Sequence, residues 1–274
     1  MGKCEYLSKL ATKHKADLLA LQETHVTADS APSRYLVPGY SLVGRINHAQ
    51  YGTITYAKNP AEVEVITSEL HGENIHTTTV KIADKTFTNV YKPPNSRWPT
   101  PPLPHLQHPA IIAGDFNSRH TDWGYQNCNE AGEAIAGWAN DGNLHLLYSP
   151  HDRGTFVSAR WGREYNPDLV FVTTDRHQSP LPAQREVLPN FPKSQHRPVL
   201  ITTGRTIPII NSLPKPRWNF QKADWEGYSQ YIERMCNRIP ALGSNMNSFN
   251  RLLLKSAKKF STERFPEGVH TLLI

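Results

Sequence analysis

The stretch Ile111-Ile112-Ala113-Gly114-Asp115-Phe116-Asn117-Ser118 sets the tightest limit on what this chain can fold into. Two adjacent β-branched aliphatics suit the end of a strand covered on both faces, which demands structure layered on either side. Gly114 permits a close turn, and Asp115 and Asn117 then share a face by the period-two alternation of a strand. An anion and an amide one pleat apart can hold a water and a metal-bound oxygen together. The same residues also suit a strand ending in an ordinary Asx turn. The short motif leaves both readings open.

Periodicity organises the rest of the chain into alternating helices and strands. Cys4, Leu7, Ala11 and His14 recur at helical spacing, and the apolar run Leu18 to Leu21 then carries Gln22-Glu23-Thr24 at its carboxyl end. Strand-like stretches follow at 40–43, 52–57, 63–67, 77–82 and 86–91, separated by turn residues, so antiparallel pairing outnumbers crossovers. Residues 93–109 are rich in proline and exclude helix or central strand, which predicts an extended surface loop in which His105 and His108 face solvent. Residues 130–141 read as a helix with Ala131, Ala134, Ile135 and Trp138 on one face, and strands are expected at 144–148, 154–158, 169–173 and 199–203. Helical stretches recur at 225–238 and 248–260.

With 274 residues, 38% hydrophobic and 20% charged, the chain suits one large domain and an extension. No apolar run approaches the roughly 20 residues of a membrane span, and the start of the chain has no signal-peptide core, so an intracellular location is expected. Cys4, Cys128 and Cys236 have no paired spacing, which argues against a disulfide framework or a zinc finger. Residues 1–204 carry 19 basic and 19 acidic side chains, and residues 205–274 carry 11 and 5, so the whole net charge of +6 lies in the tail. Such a tail either neutralises nucleic-acid phosphates or forms a solvated helix face.

Four further segments accompany the Gly-Asp-Phe-Asn core and its continuation Arg119-His120-Thr121-Asp122-Trp123-Gly124. They are Leu19-Ala20-Leu21-Gln22-Glu23-Thr24, Asn89-Val90-Tyr91-Lys92-Pro93-Pro94-Asn95, Pro167-Asp168-Leu169-Val170-Phe171-Val172 and Ser194-Gln195-His196-Arg197-Pro198-Val199. In this order and spacing the set resembles the endonuclease/exonuclease/phosphatase superfamily, specifically the endonuclease domain of non-LTR, LINE-type, jockey-like retrotransposons. Lys215-Pro216-Arg217-Trp218-Asn219-Phe220 is similar to the segment that follows that domain. The resemblance implies an α/β fold of two packed, mainly antiparallel or mixed β-sheets flanked by helices, a four-layer sandwich lacking the usual first strand, plus a helical C-terminal extension. It divides the chain into a catalytic-type domain at 1–204, a linker at 205–216 and a basic helical extension at 217–274, leading toward a reverse-transcriptase region that is not present.

The resemblance also implies roles. Phosphodiester hydrolysis needs a hard cation, an aligned water and stabilisation of phosphorane charge. Glu23 would be the principal ligand of Mg²⁺ or Mn²⁺, Asp115 would align and deprotonate the water, and Asn117 would orient that water or the phosphate. His196 would face the scissile phosphate as a cation supported by Asp168, and Tyr91 would donate to a phosphate oxygen. Asn95 and His120 match loop positions that touch DNA. Two departures point to impairment: Gln195 stands where the family carries an aspartate, which lowers cation affinity, and no strand is expected ahead of Glu23 beyond its own, which opens a sheet edge.

The expected function is metal-dependent nicking of DNA for retrotransposition, in the nucleus, with element RNA a further partner of the basic tail. One alternative is an impaired remnant that binds nucleic acid without cutting it. Another is a superfamily phosphatase acting on a small phosphoester, from which the Tyr-Lys-Pro-Pro-Asn and Lys-Pro-Arg-Trp-Asn-Phe segments set this chain apart.

Overall fold

A computed structural model describes residues 2–59, 62–204, 217–218, 223–240, 245–260 and 263–264. The chain folds as two compact units, Met1–Arg205 and Thr206–Ile274.

The first unit opens with helix α1 (Lys3–Lys13), whose Cys4, Leu7 and Ala11 stripe packs on strands β1 (Leu18–Gln22) and β3 (Thr53–Lys58) through Leu19, Ile54 and Tyr56. β2 (Tyr40–Ile46), which lies between them in sequence, pairs on the far side of β3 and completes a three-stranded antiparallel sheet in the order β1-β3-β2. Strands β4 (Val63–His71), β5 (Ile75–Ile82), β6 (Lys85–Tyr91) and β7 (Ala110–Asp115) begin a second sheet, with α2 (Glu130–Asp141) and β8 (Leu144–Leu146) following. Short β9 (Phe156–Val157) and β10 (Glu164–Tyr165) form a hairpin, β11 (Asp168–Thr173) enters the second sheet, and β12 (Ala183–Val187) pairs with β13 (Val199–Thr203). The second sheet has six strands in the order β4-β5-β6-β7-β11-β8, and its one parallel pair is β6–β7. This is the expected mixed α/β architecture of packed sheets flanked by helices.

The covered centre of that sheet explains its sequence. β7 lies between β6 and β11, and Ile111, Ile112 and Ala113 are all buried. Ile112 faces the cluster of Phe116, Trp138, Ile135 and Phe171, while Ile111 and Ala113 face that of Val170, Val172 and Leu181. A strand buried on both faces gains about 1.5–3 kcal/mol for each large side chain, which is why it reads as an unbroken apolar run.

The parallel β6–β7 crossover is the proline-rich segment 93–109, which contains no regular helix or strand. It is anchored by Leu103, fully buried, and by the Trp138 Nε1–H that donates to the Leu103 carbonyl at 2.8 Å. His105 and His108 are exposed, as expected for a surface loop. α2 begins at Asn129, whose Oδ1 accepts from the N–H of Gly132 at 2.8 Å and of Arg119 at 3.0 Å. One cap contributes about 1 kcal/mol and also ties the helix to the loop that leaves β7.

The sheets are joined by a polar seam. Asn89 of β6 is fully buried, and its Oδ1 accepts from Gln22 Nε2 at 2.6 Å while its Nδ2 donates to Thr55 Oγ1 at 3.1 Å. Both partners belong to the three-stranded sheet.

In the second unit, β14 (Arg217–Trp218) pairs with β15 (Glu263–Arg264), and α3 (Trp225–Cys236) packs against α4 (Met246–Phe260). The predicted linker at 205–216 lies outside the described residues. No helix among the described residues is long and apolar enough to cross a membrane.

Gly114 is the most restricted position in the sheet. Its φ is +149°, and a Cβ there would lie 1.8 Å from the Val90 carbonyl oxygen of the parallel neighbour. Replacing Gly114→Ala is expected to destabilise the protein by about 3 kcal/mol or more. Urea denaturation reads this directly, and an unchanged midpoint would show that β6 and β7 do not approach so closely.

Candidate active site

The antiparallel register of β11 on β7 sets Asp168 directly opposite Asp115 at the end of the second sheet. Strand burial fixes both backbones, so two carboxylates meet at one rim. Asp115 is 2% exposed, and burial together with the neighbouring Asp168 carboxylate pushes its pKa well above the usual carboxylate range, while His196 pulls the other way.

Asn117 sits beside Asp115, for a reason other than strand alternation. β7 ends at Asp115, and Asn117 has φ +42°, a left-handed conformation that asparagine tolerates better than most residues. The turn brings its backbone N–H to 3.1 Å from Asp115 Oδ1 and its Nδ2 to 3.0 Å from Oδ2, while Nδ2 also donates to the Lys92 carbonyl at 3.0 Å. The Asx turn and the carboxylate–amide pair are therefore one arrangement. Asn117 presents Asp115 with two donors and keeps its own Oδ1 for another partner.

His196 arrives from the segment before β13. Its backbone bridges Phe156, whose ring meets the imidazole edge-on at 4.9 Å, and its Nδ1 lies 2.9 Å from Asp168 Oδ2. With Nδ1–H donating to Asp168, Nε2 is left for another partner. Burial lowers the imidazole pKa, but Asp168, by charge and hydrogen bond, and then Asp115 and Glu23 outweigh it and raise it to about 9. The imidazole is a cation at neutral pH.

Glu23 follows the last residue of β1 with φ +51°, on the opposite sheet, and is exposed. The Tyr91 hydroxyl donates to Glu23 Oε1 at 3.1 Å, and burial and the Glu23 charge raise the tyrosine pKa. Tyr91 itself is fully buried, at the end of β6 and opposite Asp115 in the parallel register. Glu23, Asp115, Asn117, Asp168 and His196 line one cavity of about 1730 Å³. Asp115, Asp168 and His196 place ligand-type atoms within 4.8 Å of one another. A buried carboxylate beside a second carboxylate, with oxygen donors facing a cavity, suits a hard divalent cation.

Three candidates stand apart from this group. Gln195 lines the cavity, but its Oε1 accepts from the Ala159 N–H at 2.9 Å and is turned toward the loop after β9. His120 caps a short 3₁₀ turn, its Nδ1 accepting from the Asp122 N–H at 3.1 Å and its ring lying 4.9 Å from Trp123. Asn95 is exposed in the turn closed by the Ser96 N–H to the Pro93 carbonyl.

Two contributors carry no signal as functional residues in the sequence. Lys92 is 1% exposed, its Nζ donating to the carbonyls of Pro93 at 3.2 Å and Pro94 at 3.5 Å, so a buried ammonium fastens the proline loop beside Asp115. Tyr125 lines the cavity and stacks on Tyr165 at 5.8 Å; burial, then the charges of Asp115 and Asp168, raise its pKa. The two tyrosines lie forty positions apart in the chain, so no local pattern links them.

Because the folded pKa of His196 stands above the free value near 6.5, the Asp168 pair adds stability in full below about pH 6.5, and that contribution fades as pH rises through about 9. In Asp168→Asn the imidazole midpoint, followed by NMR, is expected to fall clearly below 9, and stability should vary less between pH 6.5 and 9. A midpoint unchanged in the variant would mean that Asp168 is not what holds the proton.

Among curated proteins none matches the sequence closely enough to count as a relative. Solved structures are similar in fold. The endonuclease domain of TRAS1, a telomere-specific non-LTR retrotransposon, is 18% identical with a TM-score of 0.55, over 73% of this chain and 91% of that one. An AP endonuclease from Archaeoglobus fulgidus is 17% identical with a TM-score of 0.52, over 73% and 93%. The family model described as endonuclease/exonuclease/phosphatase matches residues 5–185, from α1 through the rim where Asp115 and Asp168 meet to β12. With two-thirds of its length matched, the chain belongs to the endonuclease/exonuclease/phosphatase family.

Proposed function

We propose that the protein is a metal-dependent DNA endonuclease of the non-LTR retrotransposon type, which hydrolyses one phosphodiester bond to nick target DNA. The observation that carries this reading is the cationic His196 held by Asp168 beside buried Asp115 in one cavity. A protonated imidazole and a carboxylate whose pKa is raised, side by side, suit an in-line attack of water on a phosphodiester.

Glu23 would hold Mg²⁺ or Mn²⁺, with Gln195 a weaker contributor, and the bound ion would supply Lewis-acid polarisation of a phosphoryl oxygen. Asp115 takes the proton of the attacking water; a carboxylate held above its usual range is a better base near neutral pH. Asn117 keeps that carboxylate oriented through its two donors and offers Oδ1 to the water. His196 directs Nε2–H at the phosphate and stabilises the charge that accumulates there. Tyr91 shares its hydroxyl between Glu23 and a phosphate oxygen. Asn95 and His120, on the loops after β6 and β7, would touch the DNA strand on either side.

In this reading residues 1–204 form the catalytic domain, 205–216 the linker and 217–274 a basic extension that reaches element RNA. The work would take place in the nucleus, where target DNA lies. A second reading, a remnant that binds nucleic acid without cutting it, is favoured by the orientation of Gln195, whose oxygen is turned to Ala159.

Purified protein incubated with supercoiled plasmid and Mg²⁺ or Mn²⁺ is expected to yield nicked circles, and EDTA to prevent this. Asp115→Asn and His196→Ala should each lower the rate by about 10² to 10⁴-fold with folding retained. Metal-independent nicking, or nicking at an unchanged rate in Asp115→Asn, would remove the assigned site. Folded protein that binds DNA and leaves it intact would establish the second reading.

A further inference from the structure

The loop that leaves β7 returns to the start of α2 as a closed ring. The Asn129 N–H donates to the Arg119 carbonyl at 3.0 Å, and the Arg119 N–H donates to Asn129 Oδ1 at 3.0 Å. These bonds set Arg119 beside Asn129, so the next residues inward, His120 and Cys128, meet across the neck of the ring. Glu133 lies one helical turn beyond Asn129, its N–H donating to the Asn129 carbonyl at 2.9 Å, and residues four apart on a helix share a face. His120, Cys128 and Glu133 each offer a ligand atom, and the three atoms lie within 4.8 Å of one another.

The spacing is that of ligands rather than of bonded partners. His120 Nε2 is 3.7 Å from Glu133 Oε2, too long for a hydrogen bond. Around a tetrahedral Zn²⁺ with bonds of about 2.0–2.3 Å, neighbouring ligand atoms stand roughly 3.3–3.8 Å apart. Separations of up to 4.8 Å close to that range by rotation of Cys128 and Glu133, whose side chains are exposed. The imidazole is the fixed member, its side chain 13% exposed and its ring 4.9 Å from that of buried Trp123. Behind it, Asp122 Oδ2 lies 3.4 Å from Nδ1, where a carboxylate orients a metal-bound histidine. Nδ1 accepts from the Asp122 N–H at 3.1 Å, which leaves the ring proton of the neutral imidazole on Nε2. Ligation through Nε2 moves that proton to Nδ1, and the Asp122 carboxylate then accepts its hydrogen bond.

We propose that His120, Cys128 and Glu133 form a binding site for one Zn²⁺ ion, separate from the carboxylate group at the catalytic rim. A thiolate, an imidazole nitrogen and a carboxylate oxygen are the mixed donor set of a borderline cation, whereas Mg²⁺ takes oxygen ligands. Cys128 gives its proton to solvent on ligation. The two anionic ligands balance the two charges of the ion, so the loaded site is neutral and sits at the positive end of α2 without electrostatic cost. Three protein ligands leave a fourth position, for water or for a phosphate oxygen of bound DNA. The ion closes the neck of a loop that holds Trp123 in the core and Tyr125 against the catalytic cavity. Its ligands come one each from the two ends of the loop and from α2, so no paired cysteine or histidine spacing marks the site in the sequence.

The test titrates the reduced full chain, in excess Mg²⁺, with Zn²⁺ and with Co²⁺ as its spectroscopic substitute. One equivalent of Co²⁺ is expected to give a thiolate-to-metal charge-transfer band in the near ultraviolet, and Zn²⁺ to abolish it. Cys128→Ser should remove the band, while Cys4→Ser and Cys236→Ser should keep it. His120→Ala and Glu133→Ala should each weaken Zn²⁺ binding at least about tenfold, read by competition with a chelating dye on protein shown by circular dichroism to be folded. Zn²⁺ should raise the thermal midpoint of the native chain and not that of Cys128→Ser. The inference is overturned if no band appears, or if the band survives in Cys128→Ser. It is overturned equally if His120→Ala and Glu133→Ala leave the affinity unchanged, which would reduce the site to a single thiol contact.

Discussion

The register between β7 and β11 is the constraint on which this molecule's site depends. Antiparallel pairing puts Asp115 and Asp168 in opposing positions at the end of a sheet whose interior is apolar on both faces. Two carboxylates so placed repel one another, and the surroundings answer that repulsion from two directions. Asn117 turns back through a left-handed residue to give Asp115 two N–H donors, and His196 keeps a proton against Asp168. Each of those partners is itself fixed by a backbone feature, the Asx turn in one case and the bridge to Phe156 in the other. The charge distribution is therefore a product of strand register, and a slip by one residue would part Asp115 from Asp168.

Much of the architecture is legible in the sequence because burial leaves a strong periodic trace. The apolar face of residues 130–141 predicts a helix, and α2 spans Glu130–Asp141; the apolar run at 199–203 coincides with β13. β12 leaves no comparable trace, since Ala183, Arg185 and Val187 are only half-buried and alternate with the exposed Gln184 and Glu186. The family model and the fold likenesses agree with the architecture, and they leave individual side-chain roles to experiment.

At the site the sequence is informative about residue types and less so about their geometry. Strand alternation groups Asp115 with Asn117, yet the contact depends on a positive φ that a period-two pattern does not contain. Gln195 is marked by its neighbour His196, but a side chain's direction depends on what lies across space, here the Ala159 N–H. Nothing local distinguishes Lys92 from an ordinary solvated cation in a proline loop. It is buried with its ammonium donating to the carbonyl of Pro94 and to that of Pro93, which accepts from the Ser96 N–H as well.

The seam of Asn89, Gln22 and Thr55 bears on how such a protein tolerates sequence change. Apolar layers slide and repack with little loss so long as their volume is kept, whereas a buried amide deprived of a partner costs about 1–3 kcal/mol. Directional bonds between the sheets thus act as a keyway, locking the sheet that ends in Glu23 to the sheet that ends in Asp115 and Tyr91. Volume-conserving changes among the apolar residues around that keyway therefore leave the two halves of the rim aligned.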